Sequence, residues 1–368
     1  MLSACGRAVV AKLRALKSEF KSNYGGRMRL IITSTAFRVL EKWIAIAEEV
    51  VGRGSVPAEE VDVVVEELRE GGRRRKLLAF RWYGGKYSHL DWLLPLLPKT
   101  HIFCEAFAGS ASVLLNREPS PVEVLNDIDG DIANFFQVLR DRPAELIEKL
   151  YLTPFSREEF SKAIEARGRR DLDPVERARL FFVRAEQVRI GLEQTATLGR
   201  WAWCKYTSRS GMAGAVSRWV NRVLALWAVA ERLRTVQIEN DDAFNVIKRY
   251  DSKDTLFYLD PPYPHEVRGD PKAYGYEFTE HDHRRLAELL HSVKGRVALS
   301  GYKGPLLERL YSDWTRVDAP PKTVHSVKEV RQESLYINYD LSEIGQDVIE
   351  KLKKMGVRVG RVGKVAKR

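Results

Sequence analysis

The run Thr255-Leu256-Phe257-Tyr258-Leu259 stops at Asp260-Pro261-Pro262-Tyr263, and this junction constrains the fold more than any other stretch. A run that is β-branched, aromatic and apolar without polar alternation is a strand covered on both faces, as in the middle of a parallel sheet. Two prolines cannot continue a ladder, so the chain leaves the sheet after Asp260 in a fixed, extended geometry. Ligands of open α/β sheets bind outside the carboxyl ends of the strands. The sequence therefore holds a carboxylate, two rigid imides and an aromatic ring at that edge.

Such a set suits methyl transfer to an exocyclic amino group of a nucleobase. The nitrogen lone pair there is delocalised into the ring and is a poor nucleophile. If the Asp260 side chain and the Pro261 carbonyl accept the two amino hydrogens, the nitrogen moves toward tetrahedral geometry and its lone pair is aimed at an incoming methyl. Tyr263 offers a ring for a base taken out of the duplex. The competing reading of these four residues, taken alone, is a strand-ending turn.

Other segments repeat the pattern of a strand that ends on small or acidic residues. His101-Ile102-Phe103-Cys104-Glu105 runs into Ala106-Phe107-Ala108-Gly109-Ser110-Ala111-Ser112 and a short helix, a cradle whose small side chains let backbone amides reach a ligand. Val122-Glu123-Val124-Leu125-Asn126 ends on Asp127, 18 residues after Gly109, close to the spacing of about 20 at which an acid meets ribose hydroxyls. Val236-Gln237-Ile238-Glu239 ends on Asn240-Asp241-Asp242-Ala243. Upstream, Phe80-Arg81-Trp82-Tyr83-Gly84-Gly85-Lys86 forms a loop whose glycines allow close approach to a ligand, with an aromatic pair and a lysine beside them. Asp129 and Asp131 alternate after Asp127, but no ligand-spaced acid or glycine completes a metal loop, and no metal is expected. Downstream, a helix from Arg284 to Leu290 is followed by strands at Arg296–Tyr302 and Ser334–Tyr339, which complete an α/β pattern with a mostly parallel sheet.

Between 141 and 236 the chain reads as helical, basic and rich in tryptophan. Only Glu186 and Glu193 are acidic from residue 184 to 230, against arginines at 184, 189, 200, 209, 218 and 222. Trp219, Val223, Leu226 and Trp227 share helical spacing and are expected in the core. That leaves Arg200, Lys205 and Arg209 as the DNA-contacting candidates. A net charge of +11 fits a polyanionic partner, because cations that neutralise phosphates release counterions. Residues 1–76 carry a different, helical pattern that closes on the basic hinge Gly71–Lys76, and the end from Lys351 to Arg368 holds eight basic and no acidic residues. The three cysteines, 5, 104 and 204, are too scattered for a disulfide framework and point to a reducing compartment. No run of 18 apolar residues suggests a membrane span.

Taken together, Arg81-Trp82-Tyr83-Gly84-Gly85-Lys86, Glu105-Ala106-Phe107-Ala108-Gly109, Asn126-Asp127-Ile128, Ile238-Glu239-Asn240-Asp241-Asp242, Asp260-Pro261-Pro262-Tyr263 and Leu299-Ser300-Gly301-Tyr302 resemble, in order and spacing, the Dam-type DNA adenine-N6 methyltransferases, particularly their phage-like members. The resemblance runs from about Phe80 to Tyr339. It implies a Rossmann-like class I methyltransferase sheet, mostly parallel with a late antiparallel strand, and S-adenosylmethionine as methyl donor without a metal. It further implies that Trp82 and Lys86 contact the amino-acid end of that donor and that the loop through Glu105, Ala106, Phe107 and Gly109 cradles it. Asp127 with Ile128 would bind its ribose, and Asp242 and Ala243 would flank its adenine. Asp260 and Pro261, with Pro262 and Tyr263, would hold the target base. Ala106 and Ala111 stand where the family more often has proline and glycine, and both are small enough to keep the turn.

The expected organisation is a helical extension (1–76), a catalytic domain in two pieces (77–140 and 237–345), a helical target-recognition insertion (141–236) and a basic tail (346–368). The expected activity is in-line methyl transfer to adenine N6 in double-stranded DNA by base flipping, by a cytoplasmic, DNA-associated monomer. Cytosine N4 as acceptor is the alternative within the fold, and Asp instead of Ser at 260 favours adenine. A DNA-binding protein on an inactive scaffold is the alternative outside it.

Overall fold

The structure, a computed structural model, describes residues 76–191, 193–207, 211–267, 275–320 and 332–361. These belong to the unit Lys76–Arg368. The helical extension up to residue 75, Arg209 and the last part of the basic tail (362–368) lie outside the described residues.

Among the described residues eight strands form one sheet: β1 (Ile102–Glu105), β2 (Val122–Asn126), β3 (Val236–Glu239), β4 (Thr255–Leu259), β5 (Arg296–Tyr302), β6 (Thr315–Asp318), β7 (Glu333–Ile337) and β8 (Arg358–Arg361). Their order is β3-β2-β1-β4-β5-β7-β6-β8. The first five are parallel. β7 runs antiparallel between β5 and β6, and β8 pairs antiparallel with β6 at the edge. This is the Rossmann-like sheet the sequence implied, with its late reversed strand. The stretch read as the start of a tail holds a helix at Gln346–Lys354 and β8.

All five residues of β4 are buried, and the alternation of a strand divides them between two cores. Leu256 and Tyr258 join Phe103, Leu125 and Ala298 on one face, while Phe257 and Leu259 join Cys104, Val124, Val297 and Leu299 on the other. Both faces are covered, which is why the run carries no polar alternation. Each fully buried Leu or Phe contributes about 1.5–3 kcal/mol of transfer free energy.

In chain order the helices are α1 (Leu90–Leu93), α2 (Ser112–Asn116), α3 (Gly130–Asp141), α4 (Pro143–Leu152), α5 (Arg157–Glu165), α6 (Pro174–Gln187), α7 (Gly214–Leu233), α8 (Ala243–Tyr250), α9 (Glu280–Ser292), α10 (Pro305–Leu310) and α11 (Gln346–Lys354). Helices α8 and α9 cover the second face through Val246, Ile247, Leu286 and Leu290. The first face is covered by α2 and α3 and by the inserted helices α4, α6 and α7. Phe135 of α3 stacks on Phe182 of α6 at 5.7 Å, and Phe182 meets Trp219 of α7 at 5.4 Å. Trp219, Val223 and Leu226 are buried, as their spacing requires. The insertion thus shares the core of the sheet. Arg184, one of its arginines, is buried in ion pairs with Asp131 and Glu193, and Arg222 bonds the Leu78 carbonyl at 2.9 Å. Arg184 is withdrawn from the surface and Arg222 is half-buried.

Parallel register brings four strand ends together. Glu105 lies beside Leu125 and Tyr258, and Asn126 beside Glu239. The residues that follow, Ala106, Asp127, Asn240 and, beyond Leu259, Asp260, therefore emerge along one edge where β1 has β2 on one side and β4 on the other. That is the topological switch point of the sheet.

Candidate active site

At this switch point lies a cavity of about 280 Å³, near the lower end of the range for small-molecule sites. All ten residues expected to bind the methyl donor line it: Trp82 and Lys86 from the glycine loop, Glu105, Ala106, Phe107 and Gly109 from the turn after β1, Asp127 and Ile128 after β2, and Asp242 and Ala243 after β3. Asp260 and Pro262 complete the same wall. Segments 174 residues apart in sequence, such as Lys86 and Asp260, are in contact there.

The turn after β1 is shaped by two left-handed residues. Gly109 has φ +49°, and a Cβ added to it would stand 2.8 Å from indole atoms of Trp82. Ala111 has φ 51°, a conformation that costs a residue with a Cβ about 1–2 kcal/mol. It is the position where glycine is more usual, and full burial of its methyl helps offset the strain.

Asp127 holds this turn. Its Oδ2 accepts from the Gly109 amide at 2.8 Å and its Oδ1 from the Asp129 amide at 2.9 Å. Burial pushes its pKa up to about 7, against the pull of those two amides. Asn126 joins three strand ends: its amide donates to the carbonyls of Ala106 and Asp241 at 2.9 and 3.0 Å, and its Oδ1 accepts from the Asp241 amide. Glu105 lines the cavity, and its Oε2 accepts from the Leu114 amide at 2.7 Å. Burial raises its pKa to about 8. Asp129 caps α3 through the Asp131 amide, and Asp131 pairs with Arg177 and Arg184.

The far wall was not legible from the sequence. Phe107 meets Phe278 edge-on at 5.8 Å, Phe244 stacks on Phe278 at 6.3 Å, and the Arg285 guanidinium lies 4.7 Å from the Phe244 ring. Tyr276 and Gln194 line the rim. Gln194, from the insertion, accepts the Gly275 amide at 2.8 Å. Phe244 follows Asp242-Ala243 directly, the one local hint that an aromatic belongs beside that strand end.

At the opposite end Asp260 Oδ2 accepts from Lys86 Nζ at 2.7 Å. Its Oδ1 is buried and has no hydrogen-bond partner among the described residues. Burial raises the Asp260 pKa, and the Lys86 ammonium and the nearby Tyr263 hydroxyl oppose that rise. The Lys86 ammonium also donates to the Gly84 carbonyl at 2.7 Å, so in this structure it is bound to its own loop and to Asp260. Pro261 and Tyr263 are buried behind the wall. Tyr263 gives its hydroxyl to Glu333, and its ring has Tyr302 edge-on at 4.7 Å and the Lys86 ammonium at 5.0 Å. A base could stack on that ring only if these neighbours gave way.

The DNA candidates separate. Lys205 is exposed, and its ammonium stands 5.8 Å from the ring of Trp203, with Arg189 at 5.4 Å from the same ring. Trp203 is 48% exposed and Tyr206 81%. Arg200 is half-buried, with Nη1 enclosed and unpartnered among the described residues.

Residues 82–332 match the model of the family described as D12 class N6 adenine-specific DNA methyltransferases. The chain belongs to that family. It transfers a methyl group to the N6 amino group of adenine in DNA, which decides between the two acceptors left open by the Asp-Pro-Pro-Tyr turn. Among relatives of this methyltransferase, a DNA adenine methylase of Salmonella typhi is 26% identical over 242 residues, 63% of this chain and 82% of that protein. A type II methyltransferase of Lactococcus lactis subsp. cremoris, M1.LlaDCHI, is 25% identical over 256 residues, 64% of this chain and 84% of its own length. The DNA N-6-adenine-methyltransferase of Escherichia phage P1 is 23% identical over 251 residues, 64% of this chain but 31% of that larger protein.

Proposed function

We propose that the cavity binds S-adenosylmethionine and that a flipped adenine presents its amino group to Asp260. The residues fit such a donor. Trp82 and the glycine turn leave room for backbone to approach it, Asp127 offers acceptors for ribose hydroxyls, and Phe107, Phe244 and Phe278 with Ala243 form an apolar slot for a purine. When bound, S-adenosylmethionine supplies a methyl group already activated on a sulfonium, so the protein's part is positioning and charge.

Asp260 does the positioning. An unpartnered buried carboxylate oxygen is costly unless a donor completes it, and the Oδ1 of Asp260 is such an oxygen on the cavity wall. That one observation carries the reading. An adenine amino hydrogen donated to Oδ1 draws the nitrogen lone pair out of conjugation, an interaction that strengthens as the nitrogen becomes tetrahedral. The Lys86 ammonium favours the ionised form of Asp260 against the effect of burial, which makes it a partner of the acid in addition to the donor-side role implied by resemblance. Pro261 and Pro262 hold the turn rigid.

Recognition of duplex DNA falls to the insertion between 141 and 236, where Trp203, Lys205 and Arg189 offer a ring and two cations to the backbone and to unstacked bases. Arg200 and Arg209 are read as further contacts. The chain acts as a monomer in this proposal. The test is a comparison of wild type with Asp260→Asn. Nucleoside digests of treated DNA should lose N6-methyladenine in the variant while calorimetric affinity for S-adenosylmethionine stays within about threefold. Retained product formation would refute the role given to Asp260.

A further inference from the structure

Glu333 opens β7, belongs to none of the motifs read from the sequence, and follows directly on the last residue of the family match. In the sheet it pairs with Tyr302 of β5, which brings it beside the turn after β4. It accepts the Tyr263 hydroxyl and stands 3.7 Å from Lys86 Nζ, with residual exposures of 6% for Glu333 and 4% for Lys86. One buried cation is therefore shared by two carboxylates. It reaches Asp260 through Oδ2, while Oδ1 is left without a partner among the described residues.

We propose that Glu333 is a positioning residue for methyl transfer: it anchors Lys86 and Tyr263, so that Lys86 engages Asp260 through Oδ2 alone and Oδ1 is kept for the adenine amino group. The inference rests on the reading of Asp260 given above. Its physical basis is the freedom of lysine, a point charge on a flexible stem with three rotatable donors. With Asp260 as its single anion, the ammonium is free to swing across both carboxylate oxygens and occupy the acceptor the substrate needs. A second buried anion holds it to one side.

The test uses the full chain and tritiated S-adenosylmethionine in single-turnover methylation of duplex DNA. Glu333→Gln is expected to slow the turnover by about ten- to a hundredfold, with dissociation constants for donor and DNA within about twofold of wild type. Glu333→Asp, which keeps the charge, should recover part of the rate. Because Glu333 acts through Lys86, the pair Lys86→Met/Glu333→Gln should be no slower than Lys86→Met alone. A wild-type rate in Glu333→Gln, multiplying losses in the double variant, or binding constants that weaken in step with the rate would each overturn the proposal. Should Glu333→Gln fail to give a cooperative melting transition, Glu333→Asp carries the test: a slower turnover with unchanged binding supports it, and a wild-type rate refutes it. Asp260→Ala runs alongside. Activity in that variant defeats the reading of Asp260 itself, whereas an inactive Asp260→Ala beside a fully active Glu333→Gln defeats only the role of Glu333.

Discussion

The indole of Trp82 occupies the space a side chain on Gly109 would need: an added Cβ would stand 2.8 Å from two of its ring atoms, at a backbone φ of +49°. Loop and cradle, separated in sequence, are thereby fitted to each other. Gly109→Ala brings both a steric overlap with the ring and strain in the left-handed region. The expected result is at least about tenfold weaker S-adenosylmethionine binding and a destabilisation of roughly 1–3 kcal/mol in urea unfolding. Unchanged affinity and stability would show that the indole moves freely and does not shape the site.

Ala111 gives a sharper comparison two residues on. Ala111→Gly relieves about 1–2 kcal/mol of left-handed strain. It loses about 0.8 kcal/mol of buried methyl and a further 0.5–1 kcal/mol or so to the entropy of glycine in the unfolded chain. These terms nearly cancel, and the unfolding free energy is expected to change by less than about 1 kcal/mol. A shift of more than about 2 kcal/mol in either direction would mean that the methyl does more, or less, than fill space.

Much of the fold and of the site is legible in the sequence, for a definite reason. A parallel strand covered on both faces must be apolar throughout, so β4 and the strand before Glu105 announced themselves, and the acids at strand ends fell on the ligand edge by topology alone. Strands β6 and β8 gave no such signal: Thr315-Arg316-Val317-Asp318 is short and mixed because it lies away from the doubly covered centre. Phe244, Phe278 and Glu333 were missed because their role is tertiary. Nothing near Glu333 in the sequence tells that Lys86 and Tyr263 converge on it. Trp203 and Trp219 lie in the same basic, tryptophan-rich stretch, yet Trp203 is exposed while Trp219 is buried, since only the latter sits on the inner stripe of its helix.

The acidity of Asp127 should govern donor binding. Its folded-state pKa of about 7 is raised from 3.8, so the folded chain binds this proton more tightly than the unfolded one. The associated stability is full below about pH 4, declines between pH 4 and 7, and is constant above. Ribose hydroxyls donate best to the carboxylate form, so affinity for S-adenosylmethionine should fall by up to about tenfold per pH unit below 7. Asp127→Asn should bind weakly and flatten this dependence between pH 5.5 and 7. A wild-type slope in Asp127→Asn would move the titration to another group, with Glu105, raised to about 8, the next to examine.

Recognition can be divided at the Trp203 surface. Trp203 is 48% exposed and flanked by Arg189 and Lys205 at 5.4 and 5.8 Å from its ring, so removing it exposes no core and should leave the melting temperature unchanged. Stacking of an unpaired base on an aromatic ring is worth about 1–3 kcal/mol, which puts Trp203→Ala at roughly five- to 150-fold weaker DNA binding with donor affinity intact. Lys205→Ala acts through charge alone. It should weaken binding to all sequences alike and reduce the slope of log affinity against log salt by about one. Fluorescence anisotropy over a salt series measures both variants. If Trp203→Ala instead changed only the salt slope, or Lys205→Ala changed the ranking of DNA sequences without altering that slope, the division between stacking and phosphate contact drawn on this surface would be wrong.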